Sequence, residues 1–336
     1  MAQEQEIYDA HPELFHYTDK KGLDRIVRTQ TLWATHYQFL NDTTELQLMK
    51  PVLAKRLRPT VQEELLKLFR QASFQEKRRF REAGGIPRIA REGAEQLVNI
   101  FYDSAFGKTS YGAPLITPYV TSFCTHTHDQ DYERQNGLLS QWRAYAGRGG
   151  FAIVFDTQQL SERYKAEADR HGYTSHLSDV VYDDEAEKFN AEFGEGIEKI
   201  RKQVPGFIRP RELNAVELFG IVLPFFTRLK HRGFREEREV RFVCFPITQE
   251  NRNTFRSAEK RSDLPDLPLM MNYERPDGAK YIASFETDKV KTLPIKRIII
   301  GPQSDQSKAF KEVRKLIGKR AIELHCSETP WRSSLA

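Results

Sequence analysis

The sequence predicts an α+β fold from three observations. Apolar strand-like segments and charged helical segments follow one another without the regular repeat of a doubly wound sheet. Hydrophobic residues make up 39% of the 336 residues, which is enough for a sizeable core. No internal repeat or low-complexity segment interrupts the pattern. Together these features are typical of a globular α+β protein.

The sequence also excludes the membrane and secreted classes. The longest apolar run, residues 215–226, is interrupted by a glutamate and a proline and is far shorter than the roughly 20 residues of a membrane span. The first residues show no basic segment followed by an apolar one, so we expect no secretory signal. The cysteines, Cys124, Cys244 and Cys326, fit no disulfide or zinc spacing. We therefore expect a cytoplasmic protein with no metal and no membrane contact.

The first predicted elements are short. Residues 14–18 are predicted to form a strand, residues 20–28 a helix with apolar residues at helical spacing, and residues 31–35 a second strand. The pair Asn41-Asp42 then predicts a turn. These elements place an apolar strand at the beginning of the core.

A long helical segment follows. Residues 43–106 are highly charged, and Gly84-Gly85-Ile86-Pro87 is expected to break the helix. We interpret residues 45–115 as a basic helical insertion into a single domain that spans residues 1–336. Its charge indicates either a solvated helix face or a surface for an RNA or DNA backbone or for an acidic partner.

The remaining elements include the predicted centre of the fold. The later predicted elements are a strand at 119–124, a helix at 138–145, a glycine-rich turn at 147–150, a strand at 151–155, helices at about 185–202 and 211–230, a strand at 238–245, and a strand–helix–strand unit at 295–300, 307–317 and 321–325. The order of these segments is not that of alternating strands and helices, which favours α+β.

The strongest local pattern is the sequence EREVRFV at residues 237–243. In a strand, Glu237, Glu239 and Arg241 would share one face, and Val240 and Phe242 would face the core. Two carboxylates and a guanidinium beside a buried strand indicate a catalytic group. An edge-strand ladder of ion pairs remains the structural alternative.

Two aromatic segments are further candidates. His16 lies among aromatic residues in the first strand, and Trp142 and Tyr145 lie three residues apart just before the glycine-rich turn. Core packing remains an alternative for each of them. No phosphate-binding loop, Rossmann glycine pattern or GxSxG motif is present. The motif Cys124-x-His126-x-His128-Asp129 contains possible metal ligands but is only a weak indication of a metal site.

Taken together and in order along the chain, nine short segments resemble those of a known protein family. The segments are His16-Tyr17-Thr18, Gly22-Leu23-x-x-Ile26, Leu32-Trp33-Ala34, Phe39-Leu40-Asn41-Asp42-x-x-Glu45, Ser122-Phe123, Leu138-Leu139-Ser140-Gln141-Trp142-Arg143-x-Tyr145, Gly150-x-Ala152-Ile153-x-Phe155-Asp156, Phe234-x-x-Glu237-x-Glu239-x-Arg241 and Ile298-Ile299-Ile300-Gly301-Pro302. The sequence resembles a bacterial family of uncharacterised domains related to ADP-ribosyltransferases, which includes toxins and phage-defence effectors. Phe234 departs from the tryptophan that is more common there.

The resemblance implies an ADP-ribosyltransferase-like split mixed β-sheet and a site for NAD as substrate. The implied site is similar to the His-Tyr-Glu site of diphtheria-toxin-like transferases. By that resemblance His16 would bind the adenosine ribose, Tyr145 or Trp142 would stack on nicotinamide, and Glu239 would be catalytic. The other residues that it places at NAD are Tyr17, Thr18, Trp33 and Arg241.

The residue chemistry is compatible with that reaction. Cleavage of the nicotinamide–ribose bond passes through an oxocarbenium-like state, which a carboxylate such as Glu239 stabilises. Glu237 could orient or deprotonate the acceptor's nucleophile, and Arg241 could hold Glu239 ionised or meet the pyrophosphate.

The sequence thus predicts an NAD-dependent ADP-ribosyltransferase, a toxin or anti-phage effector with a possible antitoxin partner. Its net charge of +5 and the basic run Lys230-His231-Arg232-x-x-Arg235 favour a nucleic-acid acceptor, RNA in particular. An NAD glycohydrolase, a non-catalytic nucleotide- or partner-binding module and a metal-dependent nuclease remain alternatives.

Overall fold

The computed structural model describes residues 6–40, 45–107, 116–126, 131–146, 149–208, 215–247, 253, 281–285 and 292–330. The chain divides into two compact units. The sheet unit comprises Met1–Leu40, Pro118–Val180 and Gly233–Ala336, and the helical unit comprises Asn41–Thr117 and Val181–Arg232. The prediction of one domain with an insertion at 45–115 stays a prediction, although the insertion's described part lies in the helical unit.

The strands are β1 Glu13–Thr18, β2 Leu32–His36, β3 Tyr119–Cys124, β4 Phe151–Asp156, β5 Thr174–Asp179, β6 Val181–Tyr182, β7 Leu229–Lys230, β8 Glu239–Phe245, β9 Tyr281–Ser284, β10 Ile295–Ile300 and β11 Glu323–Cys326. The helices are α1 Ile7–Ala10, α2 Lys20–Thr29, α3 Glu45–Gln71, α4 Phe74–Glu82, α5 Gly85–Phe106, α6 Asp131–Asn136, α7 Leu139–Tyr145, α8 Thr157–His171, α9 Ala186–Ile208, α10 Ala215–Arg228 and α11 Gln306–Ile317. In the part of the chain that the structure describes, no helix is both long and apolar enough to cross a membrane.

A nine-stranded mixed sheet forms the core of the sheet unit. Its strand order is β11-β10-β4-β1-β3-β2-β9, and β8 pairs with β3 and β5. The pairs are antiparallel except for β10 and β11, which are parallel and joined through α11. The predicted α+β class with a mixed sheet and the predicted C-terminal strand–helix–strand unit are therefore confirmed.

The sheet splits beside β3. On one side β3 pairs with β8 along its whole length. On the other side its end at Cys124 pairs with β1, and its beginning at Tyr119 and Val120 pairs with β2. The two neighbours diverge between these points, and Ser122 is the exposed residue in an otherwise buried strand. This opening determines where the candidate site lies.

Local sequence explains how α2 is held beside the sheet. The Asp19 carboxylate accepts a hydrogen bond from the Gly22 backbone N–H at 2.7 Å, which caps the helix start. Leu23, Ile26 and Val27 are buried on one face, as their helical spacing predicts. The helix therefore covers the sheet with an apolar stripe, in agreement with the predicted helix at 20–28.

The helical unit is built around α3, which packs against α5, α9 and α10. The predicted break near residue 84 is confirmed: Gly84 and Gly85 have φ values of 91° and 79°, a left-handed backbone that glycine adopts without steric cost. The helical unit also includes residues 181–232, which contain α9, α10 and the short parallel pair of β6 and β7.

Candidate active site

A buried ion pair on β8 is the central feature of the candidate site. Arg241 donates from Nε to Oε1 of Glu239 at 2.7 Å and from Nη2 to Oε2 at 2.9 Å. Both side chains are 4% exposed. Glu239 and Arg241 share a face because residues i and i+2 of a strand point the same way. The bidentate geometry fixes the orientation of the carboxylate.

The opposite face of β8 belongs to the core, as the alternation predicts. Val240 and Phe242 are fully buried in the main apolar cluster. The Phe242 ring stacks on Tyr164 with centroids 3.5 Å apart. The strand is therefore anchored on its apolar side, so the ion pair is carried by a rigid element.

The prediction that Glu237 lies on the same strand face is wrong. The strand begins at Glu239, and Glu237 ends a 3-10 turn that starts at Arg232. Between them Arg238 has a φ of 43°, a left-handed conformation that interrupts the two-residue alternation. Glu237 is only half-buried, and its Oε1 accepts a hydrogen bond from the Tyr145 hydroxyl at 2.8 Å.

The left-handed Arg238 is held in place from two directions. Its Nη1 donates to Glu133 at 2.6 Å, and its carbonyl accepts hydrogen bonds from the backbone N–H and hydroxyl of Thr125 at 3.0 and 3.3 Å. A non-glycine residue in this region costs on the order of 1–3 kcal/mol and persists only where its surroundings impose it. The left-handed conformation of Arg238 therefore places Glu237 and Glu239 in different environments.

The two aromatic candidates on α7 differ in exposure. Trp142 is 1% exposed, and its Nε1 donates to the Asn136 carbonyl at 3.0 Å. A Cβ on Gly301 would lie 2.9 Å from the indole, so the ring is packed tightly against backbone. Tyr145 is 37% exposed. Of the pair, Tyr145 is therefore the ring that offers a surface to a ligand.

Tyr17 lies within the secondary core beside Trp142, with ring centroids 4.6 Å apart. Its hydroxyl accepts from the Leu138 backbone N–H at 2.8 Å and lies 3.1 Å from Nε2 of His126. Burial, followed by the charges of nearby arginines, lowers the pKa of His126 to about 3, so this imidazole is neutral. Tyr17 thus positions the start of α7.

His16 bridges the split in the sheet. Its Nδ1 donates to the Ser122 carbonyl at 3.0 Å. Burial lowers the pKa of His16 and the charge of Arg25 lowers it further, against the opposing effect of the Ser122 hydrogen bond. The neutral ring with its proton on Nδ1 leaves Nε2 as a hydrogen-bond acceptor.

A second aromatic group adjoins His16. The Arg25 guanidinium lies 3.7 Å from the centroid of the Trp33 ring, and Tyr281 is 5.1 Å away on the neighbouring strand. Thr18 is half-buried at the end of β1, and its hydroxyl occupies the space that a side chain on Gly22 would take. These residues form a cationic and aromatic rim.

Ser122 connects the two groups of predicted residues. Its carbonyl binds His16, while Arg241 is its direct partner across the β3–β8 pair. The structure therefore brings His16 and the Glu239–Arg241 pair to the two sides of one exposed strand position. The site therefore combines a fixed, buried carboxylate with one exposed strand position.

Three residues of the candidate site were not predicted from the sequence. Arg25, Ser122 and Arg238 were not among the predicted site residues. A polar residue in the middle of the apolar run YVTSFC was the available signal for Ser122. The positions of Arg25 and Arg238 depend on packing and on a left-handed residue, for which the sequence carries no comparable signal.

The candidate metal motif receives no support from the described residues. They contain no group of three or more His, Cys, Asp or Glu side chains that could hold a metal ion. Cys124 is buried, and burial together with the charges of Glu237 and Glu239 raises the pKa of its thiol well above the usual value. His128 and Asp129 lie outside the described residues.

Comparisons with known proteins add one similarity. No curated protein and no solved structure matched the chain. A family described as "Protein of unknown function (DUF2971)" matches residues 141–242, under a third of the sequence. The matched segment runs from α7 to the middle of β8 and contains Trp142, Tyr145, Glu237, Glu239 and Arg241. Over that segment the chain is similar to a domain family of unknown function.

Proposed function

We propose that the chain is an NAD-dependent ADP-ribosyltransferase, related to that enzyme class as the sequence resemblance implies. The observation that carries the proposal is the buried bidentate pair of Glu239 and Arg241 beside the opening at Ser122. Burying two charges costs several kcal/mol per ion before pairing, and replacing such a pair with apolar residues is often neutral or stabilising. A chemical role explains why the pair is placed beside an opening.

Glu239 is the residue proposed to stabilise the reaction's transition state. When the bond between ribose C1′ and the nicotinamide nitrogen breaks, nicotinamide leaves with the bonding electrons and positive charge develops on the ribose. A carboxylate that accepts a hydrogen bond from a ribose hydroxyl stabilises this charge where it forms. Arg241 positions the carboxylate through two hydrogen bonds, one to each carboxylate oxygen.

Glu237 is proposed to act on the acceptor. It lies outside the strand, is half-buried, and accepts from the Tyr145 hydroxyl at 2.8 Å. In this position it would take the proton of the attacking group as that group bonds to ribose C1′. Tyr145 orients the carboxylate, and its partly exposed ring is the proposed platform for nicotinamide.

The split of the sheet offers groups that fit the rest of NAD. The Nε2 acceptor of His16 suits a ribose hydroxyl, and the positive charge of Arg25 beside it suits a phosphate. Trp33 supplies an aromatic surface on the same rim. Arg241 is committed to Glu239, so the geometry favours its positioning role over contact with the pyrophosphate. Tyr17 and Trp142 would support the site from the core.

A nucleic acid, RNA in particular, is the proposed acceptor. The support is the chain's net charge of +5 and its basic insertion, since lysine and arginine bind phosphates while a base enters a site. With that acceptor, the chain would act in the cytoplasm as a toxin or anti-phage effector, and a toxin of this kind would be held inactive by an antitoxin.

The test follows the label from NAD in the wild type and two variants. Purified wild type, Glu239→Gln and the control Glu236→Gln are incubated with adenine-labelled NAD and, separately, with RNA, DNA and protein. Glu236 is a matched control because it is exposed in the turn that precedes β8. We expect label in RNA with wild type and Glu236→Gln and none with Glu239→Gln.

Each other outcome changes the proposal. Label in DNA or protein corrects the acceptor class. Free ADP-ribose without labelled polymer indicates an NAD glycohydrolase. No NAD consumption by folded wild type overturns the transferase and favours a non-catalytic binding module. RNA cleavage that needs no NAD and stops in EDTA would indicate the metal-dependent nuclease.

A further inference from the structure

The positive charge of the chain is concentrated in one short stretch. Residues 66–91 contain eight lysine and arginine residues against two glutamates, a net charge of +6, whereas the whole chain carries +5. The stretch spans the end of α3, all of α4 and the start of α5. The basic residues are Lys67, Arg70, Lys77, Arg78, Arg79, Arg81, Arg88 and Arg91. A local field of this sign attracts polyanions.

Helix α4 presents an aromatic ring within this charge. Phe74 is 80% exposed, which makes it the most exposed of the large apolar side chains in the described part of the chain. Phe74, Arg78 and Arg81 lie at positions i, i+4 and i+7 and therefore form one stripe along the helix. All three are exposed. The stripe therefore carries one flat apolar surface followed by two cations.

The fold of the helical unit does not account for the exposed ring. The start of α4 is fixed by a capping box, in which Ser73 and Glu76 exchange hydrogen bonds. The helix packs through Phe80, whose ring meets Phe69 edge-on at 5.6 Å. Phe74 lies on a different face of the helix from Phe80, so it adds nothing to this packing, and an exposed aromatic ring lowers the solubility of a protein.

The arginines of the stripe are available to a ligand. Arg81 has no carboxylate partner among the residues that the structure describes. Within the described residues, Arg78 pairs only with Glu82 one turn along the same helix, and both side chains are more than half exposed. Such a pair is weak, so a phosphate can replace it with little loss.

We infer that the α4 stripe of Phe74, Arg78 and Arg81 binds single-stranded nucleic acid, with an unpaired base on the Phe74 ring and phosphates on the two arginines. Base–aromatic stacking beside cations is how single strands are bound without a sequence code. A duplex keeps its bases stacked and offers the ring no face. The inference rests on the proposed function in taking this ligand as the acceptor, but the binding requires neither NAD nor Glu239.

The test measures fluorescence anisotropy of a labelled oligouridine strand and of a duplex of equal length over a range of salt concentrations. Phe74→Ala and Arg81→Gln are the test variants. Ile100→Ala removes another exposed apolar side chain, 55% exposed in the same unit, and Arg320→Gln removes an exposed arginine of the sheet unit. All are exposed positions, so a thermal melt identical to wild type is expected for each.

We expect Phe74→Ala to weaken single-strand binding at least about fivefold and to leave duplex binding unchanged, since stacking contributes about 1–3 kcal/mol per base. Arg81→Gln should lower the slope of log affinity against log salt by about 0.7. The control variants should bind as wild type does.

Three results would overturn the inference. One is single-strand binding that Phe74→Ala leaves unchanged, and another is equal weakening by Ile100→Ala. The third is binding of polyglutamate that depends on Arg81 but not on Phe74, which would indicate an acidic protein partner. If the NAD assay fails while the binding results hold, only the proposed function falls. If label moves to RNA and the α4 variants change nothing, only this inference falls.

Discussion

Removing one partner of the Glu239–Arg241 pair should destabilise the protein far more than removing both. Arg241→Met leaves the Glu239 carboxylate, 4% exposed, buried without its bidentate donor. Breaking a buried pair in this way costs about 3–5 kcal/mol. The double variant Glu239→Leu/Arg241→Met removes both charges and retains most of the side-chain volume, so its cost should be near zero.

Thermal unfolding followed by circular dichroism measures the difference. In a unit of this size, about 2–4 °C of melting temperature corresponds to 1 kcal/mol, so Arg241→Met should melt about 6–20 °C below the double variant. Under the proposed function the double variant should be stable and without NAD turnover. The reasoning would be refuted if the double variant lost as much stability as Arg241→Met and Glu239→Leu lose when their separate losses are added, because the two residues would then be uncoupled.

The remaining predictions concern other parts of the sheet unit. Tyr145→Phe removes the donor to Glu237, so NAD turnover should fall while the melting temperature stays within about 2 °C, because the ring is 37% exposed; an unchanged rate would contradict the positioning role. His126 has a pKa of about 3 in the folded protein against about 6.5 when unfolded. On acidification the unfolded protein therefore takes up a proton at His126 before the folded protein does. The free energy of unfolding should then fall below pH 6.5 by up to about 1.4 kcal/mol per pH unit. Urea titrations at several pH values should find a smaller slope in His126→Gln. Gly301→Ala places a methyl group 2.9 Å from the buried indole and should cost about 1–3 kcal/mol, whereas Gly194→Ala in an open helix position should gain up to about 1 kcal/mol; equal effects in denaturant titrations would contradict this.

The elements that the sequence predicted best have strong local signals. The strand at 119–124 was predicted to the residue, because apolar β-branched and aromatic residues dominate it. The helix at 20–28 carries an apolar stripe and an aspartate cap, and the structure extends it by one residue. The break at Gly84 and Gly85 follows from glycine's backbone freedom. Each of these signals lies within a few residues of the element it determines.

The elements that were missed depend on distant contacts. Strand β5 is polar and half-buried, and it forms a strand because β8 pairs with it along its whole length. Helix α8 has a polar composition, and its buried stripe of Leu160, Tyr164 and Ala168 becomes informative only once the sheet is in place. Strand order is likewise decided by tertiary packing, which overrides local preference.

The candidate site shows the same division. The shared face of Glu239 and Arg241 follows from strand periodicity and is confirmed by their mutual hydrogen bonds, while their chemical roles stay predictions. The placement of Glu237 failed because one residue, Arg238, adopts a left-handed conformation that tertiary contacts impose. The burial of Trp142 was equally inaccessible, since an aromatic pair three residues apart does not indicate which ring faces the core.

The local strain at Arg238 gives the two glutamates different chemistry. Had the strand continued through residue 237, Glu237 and Glu239 would stand side by side on one buried face, where like charges repel. The turn instead leaves Glu239 dry and held by Arg241, and Glu237 half-buried and in contact with a hydroxyl. Neighbouring carboxylates in unlike environments are the arrangement by which one site separates charge stabilisation from proton transfer. The failure of the strand prediction at a single residue therefore coincides with the feature that gives the proposed transferase its division of labour.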